Sequence, residues 1–174
     1  MPLCVGIYDR ANGTIEALCS EYLMTQDGLF TAEGCSTIWD RSTLYGLRGI
    51  FTSGHTAKGA DLLIHYCEQR LLGERVPYAV EAYPEGGKRH LSGESTLFCK
   101  IITEGILAMS PTGLNSFTLK PSLPAKIDHL YLTDINAYGA VFDVLLNREG
   151  FKVVRSNGEI IATGCYGETV EVRF

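Results

Sequence analysis

The amino-acid sequence predicts an α+β protein, with antiparallel α-hairpins in residues 1–110 and an antiparallel β-sandwich or sheet domain in residues 111–174. Three observations carry this. Apolar residues recur at helical spacing up to Pro111, and after it β-branched and aromatic residues alternate between turn signals. Two amphipathic stretches are joined by Ser53-Gly54-His55-Thr56, a connection of helix-hairpin length. Asn157-Gly158 separates two alternating stretches and is a strong hairpin signal.

The elements follow in order. Ile15, Leu18, Cys19 and Tyr22 fall on one face and predict a short helix over 14–24. Thr37 and Asp40 have capping-box spacing and lead into Leu44, Leu47 and Phe51, one side of a helix that stops near Gly54. The next begins near Thr56 and carries Ala60, Leu63, Ile64, Cys67 and Leu71 as a stripe ending at Gly73. A polar stretch over 74–90, rich in Gly and Pro, is longer than most connections between packed helices, and long loops often carry function. Ser92 can cap a helix bearing Leu97, Phe98, Ile101, Ile102, Gly105, Ile106 and Met109, with Glu94 placed favourably in its first turn. Strands are expected over 116–120, 129–132, 140–146, 151–155, 159–163 and 169–174.

Composition narrows the function. Net charge is −5, and the 15 basic residues are scattered rather than gathered into a stripe that could track phosphates, which argues against a nucleic-acid partner. No stretch approaches the ~18 apolar residues that span a bilayer, and the first residues lack the pattern of a signal peptide, so a soluble chain with no membrane partner is expected. The six cysteines include no CxxC pair, and Cys67 and Cys99 sit on apolar stripes, where a thiol is usually buried and reduced. The histidines show no paired-ligand spacing, and P-loop and GxSxG patterns are missing, so no metal or cofactor is expected.

What remains is a concentration of acidic, aromatic and cationic side chains in two stretches, 33–41 and 81–94, each running into a helix N-terminus. Both can face one cleft. Carboxylates and Arg hydrogen-bond sugar hydroxyls, aromatic rings stack on pyranose faces, and a carboxylate pair can run acid/base chemistry at an acetal carbon. The candidates are Trp39, Asp40, Arg41, Glu81, Tyr83, Glu85, Arg89 and His90. Four have a plainer explanation: Trp39 as a core aromatic, Asp40 as the capping-box acid, Glu81 and Glu85 as solvated surface residues.

Three phrases carry a resemblance: AEGCSTIWDRSTLYGLRGIF, then RLLGERVPYAVEAYPEGGKRHLSGESTLFCKIITEG, then SPTGLNSFTLKPSLP. In that order they resemble the closing part of bacterial glycoside hydrolases with an (α/α)6 barrel, the six-hairpin or glucoamylase-like class. In that class a phrase like the one over 111–124 leads from the last inner helix into a terminal β-domain. The resemblance covers about residues 28–142 and is most specific over 32–51 and 78–105. It implies hydrolysis of O-glycosidic bonds in oligo- or polysaccharides by two carboxylates, commonly with inversion. Glu85 is the first choice of general base and Glu81 the second, with Trp39, Asp40 and Arg41 as sugar-binding positions and Tyr83, Arg89 and His90 beside them.

The chain departs from that class in having material for about four helices where a full toroid has twelve, which leaves no source for the general acid. It is expected to be inactive alone, and to need the missing N-terminal barrel portion or to self-associate through exposed inner-helix faces. The alternative is a non-catalytic carbohydrate-binding or assembly module. A third reading is a mixed α and β scaffold with solvated loops, favoured if Trp39 and Tyr83 point into separate cores.

Overall fold

The computed structural model describes residues 2–72, 77–83 and 90–174, with Tyr83 described by its backbone. It is an α+β protein with its sheets concentrated at the C-terminal end. The chain divides into two compact units, Met1–Gly105 and Ile106–Phe174, a few residues before the boundary expected at Pro111.

In the first unit a short 3-10 turn (Pro2–Val5) precedes α1 (Ala11–Leu18). The helix expected over 14–24 therefore starts and ends earlier, because the chain turns after Cys19 to form a small ladder of β1 (Met24–Thr25) with β2 (Gly28–Leu29). Gly28 is required there: φ is +140°, and a Cβ would lie 2.5 Å from the Thr43 hydroxyl. That hydroxyl accepts the Leu29 N–H at 2.9 Å.

The next strand, β3 (Ile38–Trp39), runs directly into α2 (Asp40–Thr52), the most buried helix of the unit. Leu44, Leu47, Ile50 and Phe51 are all core residues on it, which is the stripe expected from the spacing. It stops at Ser53, and Gly54 at φ +88° turns the chain into α3 (Thr56–Tyr66). The helical path continues over Cys67–Leu71 with π-type bonding; its expected end at Gly73 lies outside the described residues. After the two-residue strand β4 (Ala82–Tyr83) comes α4 (Ser92–Lys100), extended by a π segment over Ile101–Ile106.

Two expectations about α4 are corrected. Ser92 is its first residue rather than a cap, and Leu91 holds the N-cap position with no side-chain capping hydrogen bond. Cys99 is exposed and Cys67 half-buried, so neither is the core thiol its stripe suggested. Leu97, Phe98 and Ile102 also remain half-buried, while Leu72, Val5, Ile7 and Tyr22 are exposed. This unit leaves more apolar surface open than its pattern of stripes implies.

The second unit contains two antiparallel sheets around one core. Strands β5 (Ser110–Gly113), β6 (Ser116–Leu119) and β11 (Val170–Arg173) form a three-stranded sheet in the order β11-β6-β5. Strands β7 (His129–Ala137), β8 (Ala140–Asn147), β9 (Gly150–Arg155) and β10 (Ile160–Gly164) form a four-stranded meander. Alternation decides the inner face: Phe142, Val144 and Leu146 on β8 join Phe151 and Val153 on β9, Phe117 and Leu119 on β6, and Val172 on β11 in one cluster. The rings of Phe117 and Phe142 stack at 5.4 Å, and Tyr138 stacks on Phe117 at 4.7 Å.

The turns explain the registers. Ser156-Asn157-Gly158 forms a three-residue loop closed by Arg155 and Glu159, with Gly158 at φ +88°. Tyr138 and Gly139, at φ +55° and +75°, form a two-residue turn of primed type between β7 and β8.

Candidate functional site

The stretches over 33–41 and 81–94 are brought together by backbone pairing. β3 pairs antiparallel with β4 (Ala82–Tyr83), matching Ile38 with Tyr83 and Trp39 with Ala82. Behind it a bridge between Val80 and His90 closes the base of the connecting loop. Two short extended segments thus stand beside the N-terminal ends of α2 and α4, where backbone N–H groups and helix dipoles favour negative charge.

Asp40 lies at the centre of this junction and is only 1% exposed. It is the first residue of α2, but its carboxylate does not close a capping box. One oxygen accepts from Arg70 Nη2 at 2.7 Å and the other from the Val80 N–H at 2.7 Å. Burial pushes the Asp40 carboxyl above its usual range, and the Arg70 charge and the Val80 hydrogen bond pull it back. Tyr66, buried beside it, is driven well above the ordinary phenol range by burial first and by the Asp40 charge second. With both oxygens engaged, Asp40 ties Val80 and the helical segment after α3 to α2 instead of facing solvent.

Arg41 points the other way. Its Nε and Nη2 donate to Glu94 Oε1 at 2.8 and 2.7 Å, joining α2 to α4. The pair is asymmetric: the Arg41 side chain is 48% exposed and that of Glu94 only 2%. Its hydrogen bonds to Glu94, backed by the Glu94 charge and more weakly by that of Glu81, hold the Arg41 guanidinium above its usual value. The same guanidinium lies over the half-buried Trp39 ring, 5.8 Å from its centroid. Glu94, read from sequence as a solvated or dipole-stabilising residue, is a buried acid bound by a cation.

A cleft of about 420 Å³ runs alongside this pair between α2 and α4. Arg41, Tyr45, Arg48, Glu94, Thr96 and Lys100 line it. Arg48 Nε donates to Glu104 at 2.6 Å and Lys100 lies 3.2 Å from the same carboxylate, so three cations, with Arg41, face two acids, Glu94 and Glu104. Such a wall offers many donors and a net positive charge. His90, exposed, bonds through Nε2 to the Ser95 hydroxyl at 2.8 Å and meets the Tyr78 ring edge-on at 5.2 Å.

Glu81 is exposed beside β4. Glu85 and Arg89 lie outside the described residues, as does the side chain of Tyr83. Trp39, Asp40, Arg41, Glu81 and His90 are therefore gathered at one junction, with Asp40 facing inward. Sequence reasoning missed Arg70 and Tyr66. The available signal was position: with Leu63 they continue the buried stripe of α3 into the helical segment after it, and an Arg on such a stripe requires a buried acid. Among the described residues no group of three His, Cys, Asp or Glu side chains is placed to hold a metal ion. Among those residues no helix is long and apolar enough to cross a membrane.

No family model, curated protein or solved structure matches this chain.

Proposed function

We propose that the chain is the C-terminal portion of a glycoside hydrolase that cleaves O-glycosidic bonds by a two-carboxylate, inverting mechanism and is inactive by itself. The observation that carries the reading is the β3–β4 ladder, which sets Trp39, Arg41 and Glu81 around the cleft-bearing ends of α2 and α4. A half-buried indole with a guanidinium over it, next to a polar cleft rich in donors, suits a hydroxyl-rich ligand better than an apolar one. Glu85, two residues beyond this ladder in sequence, is the proposed base that activates water, with Glu81 second. The acid that protonates the leaving oxygen comes from an N-terminal barrel portion, and the exposed apolar residues of the first unit are the surface it would cover.

A second reading, a non-catalytic carbohydrate-binding or assembly module, draws on one specific observation. Asp40 and Glu94, two carboxylates of this junction, are both locked by arginines and unavailable for proton transfer.

The test is a titration of the chain with mono- and oligosaccharides followed by the fluorescence of Trp39, the sole tryptophan. A saturable change that is lost in Arg41→Ala supports a sugar site at this junction. No response from the folded chain to any sugar sinks both readings for the isolated chain. Tight binding that Glu85→Gln leaves unaltered favours the non-catalytic module.

A further inference from the structure

The outward face of the four-stranded sheet in the second unit carries a row of side chains at matched registers: Tyr131 opposite Leu145, Leu145 opposite Lys152, and Lys152 opposite Thr163. With strands about 4.8 Å apart, four of them make a platform roughly 14 Å long across the sheet. Tyr131 is 56% exposed, and Lys152 and Thr163 are exposed with it. The Tyr131 ring stands open on this outward face. It begins an open cleft of about 590 Å³ whose rim adds Asn147 and Glu149. Binding clefts for small ligands commonly enclose about 300–1,000 Å³.

The walls of this cleft are held in place. The Tyr166 hydroxyl donates to the Asn147 carbonyl and, at 3.4 Å, lies near that of Gly150, pinning the β8–β9 turn. Glu168 accepts the Cys165 N–H at 2.9 Å and fixes the loop after β10. His129, two residues before Tyr131 on the same face, packs its ring 5.0 Å from the Tyr131 ring and limits how the ring can turn. An aromatic ring braced on one side, on a sheet face that also carries an ammonium, a hydroxyl, an amide and a carboxylate, can receive a ligand with apolar ring faces and a hydroxyl-rich rim.

We propose that this face binds an oligosaccharide laid across β7–β10, with one sugar ring stacked on Tyr131 and the hydroxyls of the next on Lys152, Thr163 and Asn147. The near-balance of Lys152 against Glu149 fits a neutral chain rather than a polyanion. The site stands on its own residues and does not depend on the junction around Trp39.

The test is amide NMR of the full chain titrated with maltohexaose, cellohexaose, xylohexaose and trigalacturonic acid. The expected result is a saturable shift of the amides around residues 131, 145, 152 and 163 with at least one neutral hexaose. Tyr131→Ala should weaken that binding at least tenfold and Lys152→Ala several-fold, whereas Trp39→Phe should leave it unchanged. Shifts with trigalacturonic acid alone overturn the neutral-chain assignment, and shifts confined to residues 39–41 and 90–97 overturn the site while leaving the junction reading intact. No shift with any sugar, or an affinity that Tyr131→Ala leaves intact, also overturns it. So does a dimer that Tyr131→Ala converts to monomer, since the face would then belong to a second copy.

Discussion

Arg70 Nη2 lies 2.7 Å from Asp40 Oδ1, and this buried pair ties α2 to the helical segment after α3 while the second Asp40 oxygen holds Val80. Removing one partner of such a pair strands a charge in a medium that cannot solvate it, which costs about 3–5 kcal/mol. Arg70→Met should lose that amount in urea denaturation, and Arg70→Met with Asp40→Asn should recover part of it.

The same pair sets a pH dependence. Burial raises the Asp40 carboxyl, so between its unfolded pKa and its folded pKa the folded state binds more protons than the unfolded one. Stability from this group therefore falls as pH rises through that window. Arg70 restrains the rise, so without it the window widens upward. The deficit of Arg70→Met relative to wild type should be smaller at pH 4.5 than at pH 7; an equal deficit at both would show that Asp40 is not the group responsible.

The exposure difference between Arg41 and Glu94 makes their substitutions unequal. Arg41→Met leaves a carboxylate that is 2% exposed without its cation and should cost about 3 kcal/mol. Glu94→Gln keeps the shape and an acceptor while freeing a guanidinium that water already reaches, and should cost about 1 kcal/mol. Equal losses in thermal or urea unfolding would mean that Glu94 is better solvated than the structure indicates.

Thiol chemistry separates the cysteines. Cys99 and Cys165 are exposed, whereas Cys4 and Cys67 are pushed above the usual thiol range, chiefly by burial. Cys4 also donates to the Tyr45 carbonyl at 2.9 Å. Because the thiolate is the reactive form, a disulfide reagent at pH 8 should modify Cys99 and Cys165 at least tenfold faster than Cys4 and Cys67. Mass mapping after brief labelling decides this.

Periodicity made most of the fold legible. The stripe Leu44, Leu47, Phe51 and the alternation Phe142, Val144, Leu146 each identify a buried face with no knowledge of what covers it. Tertiary partners were not legible. Asp40 looks like a capping acid until Arg70 and Val80, 30 and 40 residues away, are placed on its two oxygens. Glu94 looks like a dipole-stabilising surface residue until Arg41, 53 residues away, covers it. Strand β5 escaped because Ser110-Pro111-Thr112-Gly113 reads as a breaker, and it is an exposed edge strand, where Pro is tolerated. That the stretches over 33–41 and 81–94 share a junction was expected from their composition, whereas the ladder that joins them is too short to leave a signal in sequence.

Phe51 is packed between two glycines far apart in sequence. A Cβ on Gly59 of α3 would stand 2.9 Å from its ring, and one on Gly105 would stand 2.9 Å from its own Cβ. Both glycines are helical, where alanine is intrinsically favoured by about 1 kcal/mol, so propensity and packing pull in opposite directions. Overpacking a close contact costs about 1–3 kcal/mol, and packing should win because the ring has core on every side. Gly59→Ala and Gly105→Ala should each lower stability by about 1–2 kcal/mol. In Phe51→Leu, where the ring is gone, Gly59→Ala should cost much less or become stabilising, so a double-mutant cycle should return a coupling of at least about 1 kcal/mol. Additive losses would show that Phe51 moves aside freely and that the glycines serve some other purpose.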